Sequence, residues 1–212
     1  MRNLLSAGGA RLGKNRMFWI LVLFMFGMGA YMACAQYMNN IRYQEQVFFD
    51  DCMFNYANVI GCCSAVFCSL FTGTEYSDGT IRNKLLVGHT RWAIYCSELI
   101  VSIFATFVMV LAFLISYSVL GLILLPAAQL PVETILFYVV ISLLTSLEFV
   151  SVYHMLTMLI PRKSAAAVVC LLLFMILMVL AMVIWGRLQA PEFVSGYSLT
   201  VNGIEQMDPE PN

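Results

Sequence analysis

Residues Ile94 to Leu125 read IYCSELIVSIFATFVMVLAFLISYSVLGLILL, and Glu98 is the one charge in the run. A helix rises 1.5 Å per residue, so about 20 apolar residues cross the hydrocarbon of a bilayer. This stretch exceeds that length and has to tilt, kink or extend beyond the core. It is too long and too continuously apolar for a barrel strand. A helix satisfies every backbone group within itself, as lipid requires.

Working outward, four more blocks of the same kind are bounded by short polar stretches: Met17 to Tyr37, Met53 to Thr72, Val132 to Ile160 and Ala165 to Trp185. The expected fold is an all-α integral membrane protein, a polytopic bundle of five spans in one transmembrane domain over residues 1–212, with a polar tail over 186–212. Composition agrees: 61% of residues are apolar and 11% charged, against about 45–50% and 25% in soluble domains. A net charge of -1 offers no basic surface for nucleic acid.

Lysine and arginine orient the bundle. Arg2, Arg11, Lys14 and Arg16 precede the first block, Arg82, Lys84 and Arg91 separate the second from the third, and Arg162 and Lys163 separate the fourth from the fifth. If the blocks alternate in direction, all of these share one side, and only Arg42 and Arg187 lie opposite. The positive-inside rule then places the N-terminus and both basic loops in the cytoplasm. The first block has a basic flank and an Ala33-Cys34-Ala35 segment like a signal-peptidase site, but its apolar length exceeds that of a signal peptide, so it is expected to remain as a span. Most of the seven cysteines lie within apolar blocks, where a thiol packs as a small hydrophobe. Cys62, Cys63 and Cys68 lack a histidine or acid at ligand spacing, so no metal site and no disulfide framework is expected.

Between the second and third blocks lies Glu75-Tyr76-Ser77-Asp78-Gly79-Thr80-Ile81-Arg82-Asn83-Lys84-Leu85-Leu86-Val87-Gly88. Ser77 or Asp78 suits a helix cap, and Gly88 a left-handed stop. The two turns between them place Ile81 and Leu85 on one edge at i, i+4. Such a helix can dock a soluble partner or simply turn the chain at the membrane surface. The physics alone leaves both open.

Phe71-Thr72-Gly73-Thr74-Glu75-Tyr76, Gly79 through Leu85, and then Arg91 and Tyr95 resemble the first cytoplasmic loop of type-two ATP-binding-cassette (ABC-2) exporter permeases. The similarity is strongest to small bacterial permeases of the lantibiotic or antimicrobial-peptide export and immunity type. The resemblance implies that Thr80, Ile81, Arg82, Asn83, Lys84, Leu85 and Leu86 form a coupling helix seated in a groove of a separate ABC ATPase subunit. In that role we expect Ile81 and Leu85 to make the apolar contact, with Arg82 and Lys84 binding or orienting the partner. The resemblance further implies a second permease copy or a related permease, a location in the bacterial plasma membrane, and an N-terminal amphipathic helix on the inner surface. Arg2, Leu4, Leu5, Arg11, Leu12, Lys14 and Arg16 suit that helix, and Gly8-Gly9 weakens it.

The chain departs from this pattern in having five blocks where the family has six, so a sixth span is expected to be missing or truncated. No Gly-rich phosphate loop ending in Gly-Lys-Ser or Gly-Lys-Thr occurs. The chain is therefore expected not to be an enzyme and to hold no cofactor, with ATP and magnesium on the partner. Ionisable residues within spans are functional candidates by default. Glu148, flanked by Thr145 and Ser151 at i-3 and i+3, and Glu98 at the start of the third block are candidates to line a pathway, or else structural acids bonded between helices. The polar residues of the second span, including Asn58, Gly61 and Ser64, suit a helix facing protein. In the tail, the resemblance implies short re-entrant helices over Glu192 to Val201, while the sequence itself equally suits an unstructured external loop. The expected function is the membrane subunit of an exporter that moves a substrate such as a peptide or drug-like compound outward. The alternative is a non-transporting scaffold or immunity protein of the same fold. An intramembrane enzyme would need convergent catalytic groups, which Glu148 and the off-face His154 do not supply.

Overall fold

A computed structural model describes residues 2–43, 48–50, 52–77, 79–88, 90–160, 162–188, 192–194, 197–200 and 203–206. Seven helices follow in order: α1 (Arg2–Lys14), α2 (Arg16–Tyr43), α3 (Tyr56–Ser77, entered by a 3-10 turn at Met53–Asn55), α4 (Thr80–Leu86), α5 (Arg91–Leu124), α6 (Val132–Leu159) and α7 (Lys163–Leu188). Each expected apolar block forms the body of one long helix. Among the described residues, five helices are long and apolar enough to cross a membrane. Their outward faces carry large apolar side chains, such as Leu23, Phe104, Leu144 and Leu172. Water would not tolerate so continuous an apolar surface, whereas lipid does. The chain is a membrane-embedded helical protein.

Contacts divide the chain into two units, Met1–Leu171 and Leu172–Asn212. In the first, α2 packs along α5 and α3 along α6. Of the apolar window of α3, 61% is buried, against 22% for α2 and 17% for α6. The second span, expected to face protein from its small and polar residues, is the most buried of the five, with Gly61, Ser64 and Ser69 buried and Asn58 facing out. Several hydroxyls inside the helices are absorbed locally. Ser64, Ser69, Ser97, Thr106, Ser146 and Thr157 each donate to a carbonyl three or four residues back, which removes the cost of an orphaned donor.

Helix α1 is continuous through Gly8-Gly9. The glycine expected to weaken it permits close packing: a Cβ on Gly8 would lie 2.9 Å from a methyl of Val101 on α5. Leu4, Gly8 and Leu12 form its buried stripe.

The second unit holds the later part of α7 and three short strands, β1 (Glu192–Val194), β2 (Tyr197–Thr200) and β3 (Gly203–Gln206). They form an antiparallel sheet in the order β1-β2-β3, with Phe193 opposite Ser198 and Leu199 opposite Ile204. This corrects the expectation of re-entrant helices or an unstructured loop over Glu192 to Val201.

Candidate functional site

The end of the first unit that carries the α3–α4–α5 connection is built around four charges. Glu75 ends the apolar run of α3, and Glu98 lies in the second turn of α5. Both are buried, at 3% and 1% exposure. Two carboxylates withdrawn from water require cations beside them. Lys84 on α4 supplies one. Its Nζ donates to both Glu75 oxygens at 2.8 and 3.0 Å and to Glu98 Oε1 at 2.8 Å. Arg11 on α1 supplies the other. Its Nη1 pairs with Glu75 Oε1, and its Nη2 lies 3.4 Å from Glu98 Oε2. The guanidinium also sits 3.9 Å above the Phe71 ring, a cation–π contact that holds its plane. Phe71 stacks on Phe67, which meets Phe18 of α2 edge-on.

Helix α4 contains no buried residue, so apolar packing does little to hold it. Glycines set its limits. Gly79 stands at its N-cap with φ 67°, and Gly88 follows it with φ 92°; both lie in the left-handed region that suits glycine. Gly88 is the expected stop. The N-cap differs from the expectation of Ser77 or Asp78: Gly79 holds the position without a side-chain cap bond, and Thr80 Oγ1 donates to the Glu75 carbonyl at 3.0 Å. Asp78 and the Ser77 side chain lie outside the described residues.

The residues expected to face a partner divide into two sets. Ile81 and Leu85 line a cavity of about 360 Å³ together with Arg91, Ile94, Tyr95 and Met158; Ile81 is half-buried, and Leu85 remains exposed. Lys84 turns inward to the acids. Leu86 and Val87 are 76% and 79% exposed, and Trp92, at the start of α5, is 77% exposed. Arg82 and Asn83 are exposed as well.

The two candidate acids within spans also separate. Glu98 joins the ion cluster. Glu148 is exposed on the outer face of α6. Its neighbours do not form a shared polar site with it, because Thr145 and Ser151 donate to the carbonyls of Ile141 and Leu147 on their own helix, at 3.0 and 2.8 Å. His154 is fully buried, its ring tilted against Tyr95 at 5.0 Å between centroids. Among the described residues, no three His, Cys, Asp or Glu side chains cluster as a metal site.

Arg11 is the member of the cluster least visible in the sequence, where it counts as one more basic residue of the N-terminal helix. The available signal is its register: it stands beside Leu12 and three residues after Gly8, on the apolar stripe. A cation on the buried face of a helix calls for a buried acid. Compared with protein-family models, curated proteins and solved structures, the chain shows no match.

Proposed function

We propose that this chain is the membrane-spanning subunit of an ATP-driven exporter, with hydrolysis carried by a separate ATPase subunit. The observation that carries the reading is the mounting of α4. A seven-residue helix is clamped through Lys84 to acids on α3 and α5, while Leu86, Val87 and Trp92 face outward. An apolar ridge on a charge-clamped helix suits the transmission of a push from a soluble partner. Displacing α4 would pull Lys84 against Glu75 and Glu98, and through Arg11 would load α1. Drawing either cation away would leave a buried carboxylate uncompensated, which favours the four helices moving together. In this proposal the basic end faces the cytoplasm, as the positive-inside rule favours, the chain resides in the plasma membrane of a bacterium, and a second permease copy completes the pathway.

The docking contact in this proposal is Leu86, Val87 and Trp92, which are 76%, 79% and 77% exposed, with the exposed Leu85 at its edge and Lys84 turned toward the acids. Purification in mild detergent with nucleotide held in the buffer, followed by mass spectrometry, tests the reading. A stoichiometric ATPase that travels with the chain supports it, and its consistent absence refutes it.

A second reading, a non-transporting scaffold or immunity protein, is favoured by the outward position of Glu148 and by the local bonding of Thr145 and Ser151. These leave the expected pathway residues unassembled within one chain. The two readings part on substrate: an exporter couples ATP hydrolysis to efflux from proteoliposomes, whereas a scaffold binds its partner without substrate-stimulated turnover.

A further inference from the structure

The cavity beneath α4 has walls of two kinds. Ile81, Leu85, Ile94 and Met158 are apolar, while Arg91 brings a guanidinium to the same space beside Tyr95. Its volume of about 360 Å³ lies at the lower end of ligand pockets, roughly 300–1,000 Å³. Arg91 is exposed and makes no ion pair among the described residues. On the α6 side, Met158 stands between the exposed Met155 and Leu159, so the cavity adjoins the apolar outer surface. Tyr95 lines the cavity as well, and tyrosines at the ends of spans settle at the headgroup level of a bilayer. An apolar slot next to lipid, with a cation at its mouth that has no ion-pair partner among the described residues, matches one molecule in its surroundings: a phospholipid with an anionic headgroup. Basic residues at the ends of spans attract such lipids.

We infer that the cavity lined by Ile81, Leu85, Ile94 and Met158 binds the acyl chain of an anionic phospholipid whose phosphate pairs with Arg91. Arg82 is also exposed on α4 but does not line the cavity, so it serves as the control. Such a site needs no ATPase and is open to test on the full chain alone.

The test is native mass spectrometry of the purified chain from micelles doped equally with phosphatidylglycerol and phosphatidylcholine. The wild-type chain is expected to retain one phosphatidylglycerol, with a preference of roughly fivefold, the size expected for one arginine near an anionic headgroup. Arg91→Gln is expected to bring the two lipids to parity, and Arg82→Gln to leave the preference intact. Met158→Trp, which fills the slot, is expected to reduce retention of both. Soluble glycerol phosphate in excess should not displace the lipid. Equal retention by the wild-type chain, full preference in Arg91→Gln, or displacement by glycerol phosphate would each overturn the site. Arg91 is exposed and lacks an ion-pair partner among the described residues, so its variant is expected to fold. The Arg91 result therefore decides even if Met158→Trp does not fold.

Discussion

The two ends of the helical bundle are fastened by different chemistry. At the basic end, Arg11, Glu75, Lys84 and Glu98 bind α1, α3, α4 and α5 through charges of both signs. At the opposite end, one buried acid closes a loop: Asp50 accepts from the backbone amides of Gln129 and Leu130, both at 3.1 Å. Beside it, the Tyr117 hydroxyl donates to the Phe49 carbonyl at 2.8 Å, and the hydroxyls of Tyr56 and Ser142 are bonded to each other. Asp50 needs no cation because two N–H donors serve its carboxylate. Glu75 and Glu98 face one another across Lys84 and depend on it. A helix with no buried residue, α4, is thus held by the interaction most costly to break one partner at a time. The Asp50 end fixes a loop. The basic end joins four helices through one ion cluster.

The sharpest way to break this contrast is to remove one cation. Lys84→Met leaves Arg11 to serve two buried carboxylates and is expected to cost about 3 kcal/mol, read as a lower midpoint of thermal unfolding in detergent. Adding Glu98→Gln to Lys84→Met should recover part of the loss; additive losses would show that the two residues are not coupled. At the opposite end, Asp50→Ala removes two charge-assisted bonds at an expected cost of about 2 kcal/mol. Faster amide exchange should then be confined to Gln129, Leu130 and their neighbours, and fast exchange spread to α4 would erase the contrast. Between the ends, α2 meets α5 at Gly29, where a Cβ would lie 2.6 Å from the Phe113 carbonyl. Gly29→Ala is expected to cost about 1 kcal/mol or more through overpacking, and unchanged stability would show that these helices can part freely. Smallest of all is Glu148→Gln on the outer face, expected to stay within about 0.5 kcal/mol of the wild type and to leave any efflux unchanged. Loss of efflux would return Glu148 to the pathway.

Helix positions were readable because they depend on local pattern. The apolar blocks became the long helices, and Thr80 to Leu86 became α4 with Gly88 as its stop. Which way a charged side chain points depends on distant partners. Glu98 and Glu148 are each a lone acid in an apolar run, and only packing sends the first toward Lys84 and the second outward. Arg11 meets an acid 64 residues away, a pairing that no local spacing encodes. The i, i+4 edge of Ile81 and Leu85 was also visible, but an apolar edge serves an internal groove as readily as an external partner. In the tail, Tyr197-Ser198-Leu199-Thr200 alternates apolar and polar residues with the period of a strand, a local signal that β2 follows and that neither the re-entrant helices nor the loop takes into account.

The account turns on which side of α4 faces outward. Capture of the co-purifying ATPase, quantified for the wild-type chain and for Leu86→Asp, tests this directly. Leu86 is exposed and contributes little to folding, so the account predicts that Leu86→Asp inserts and melts like the wild type yet retains no ATPase. Wild-type capture by Leu86→Asp would contradict it and show that α4 only turns the chain between α3 and α5.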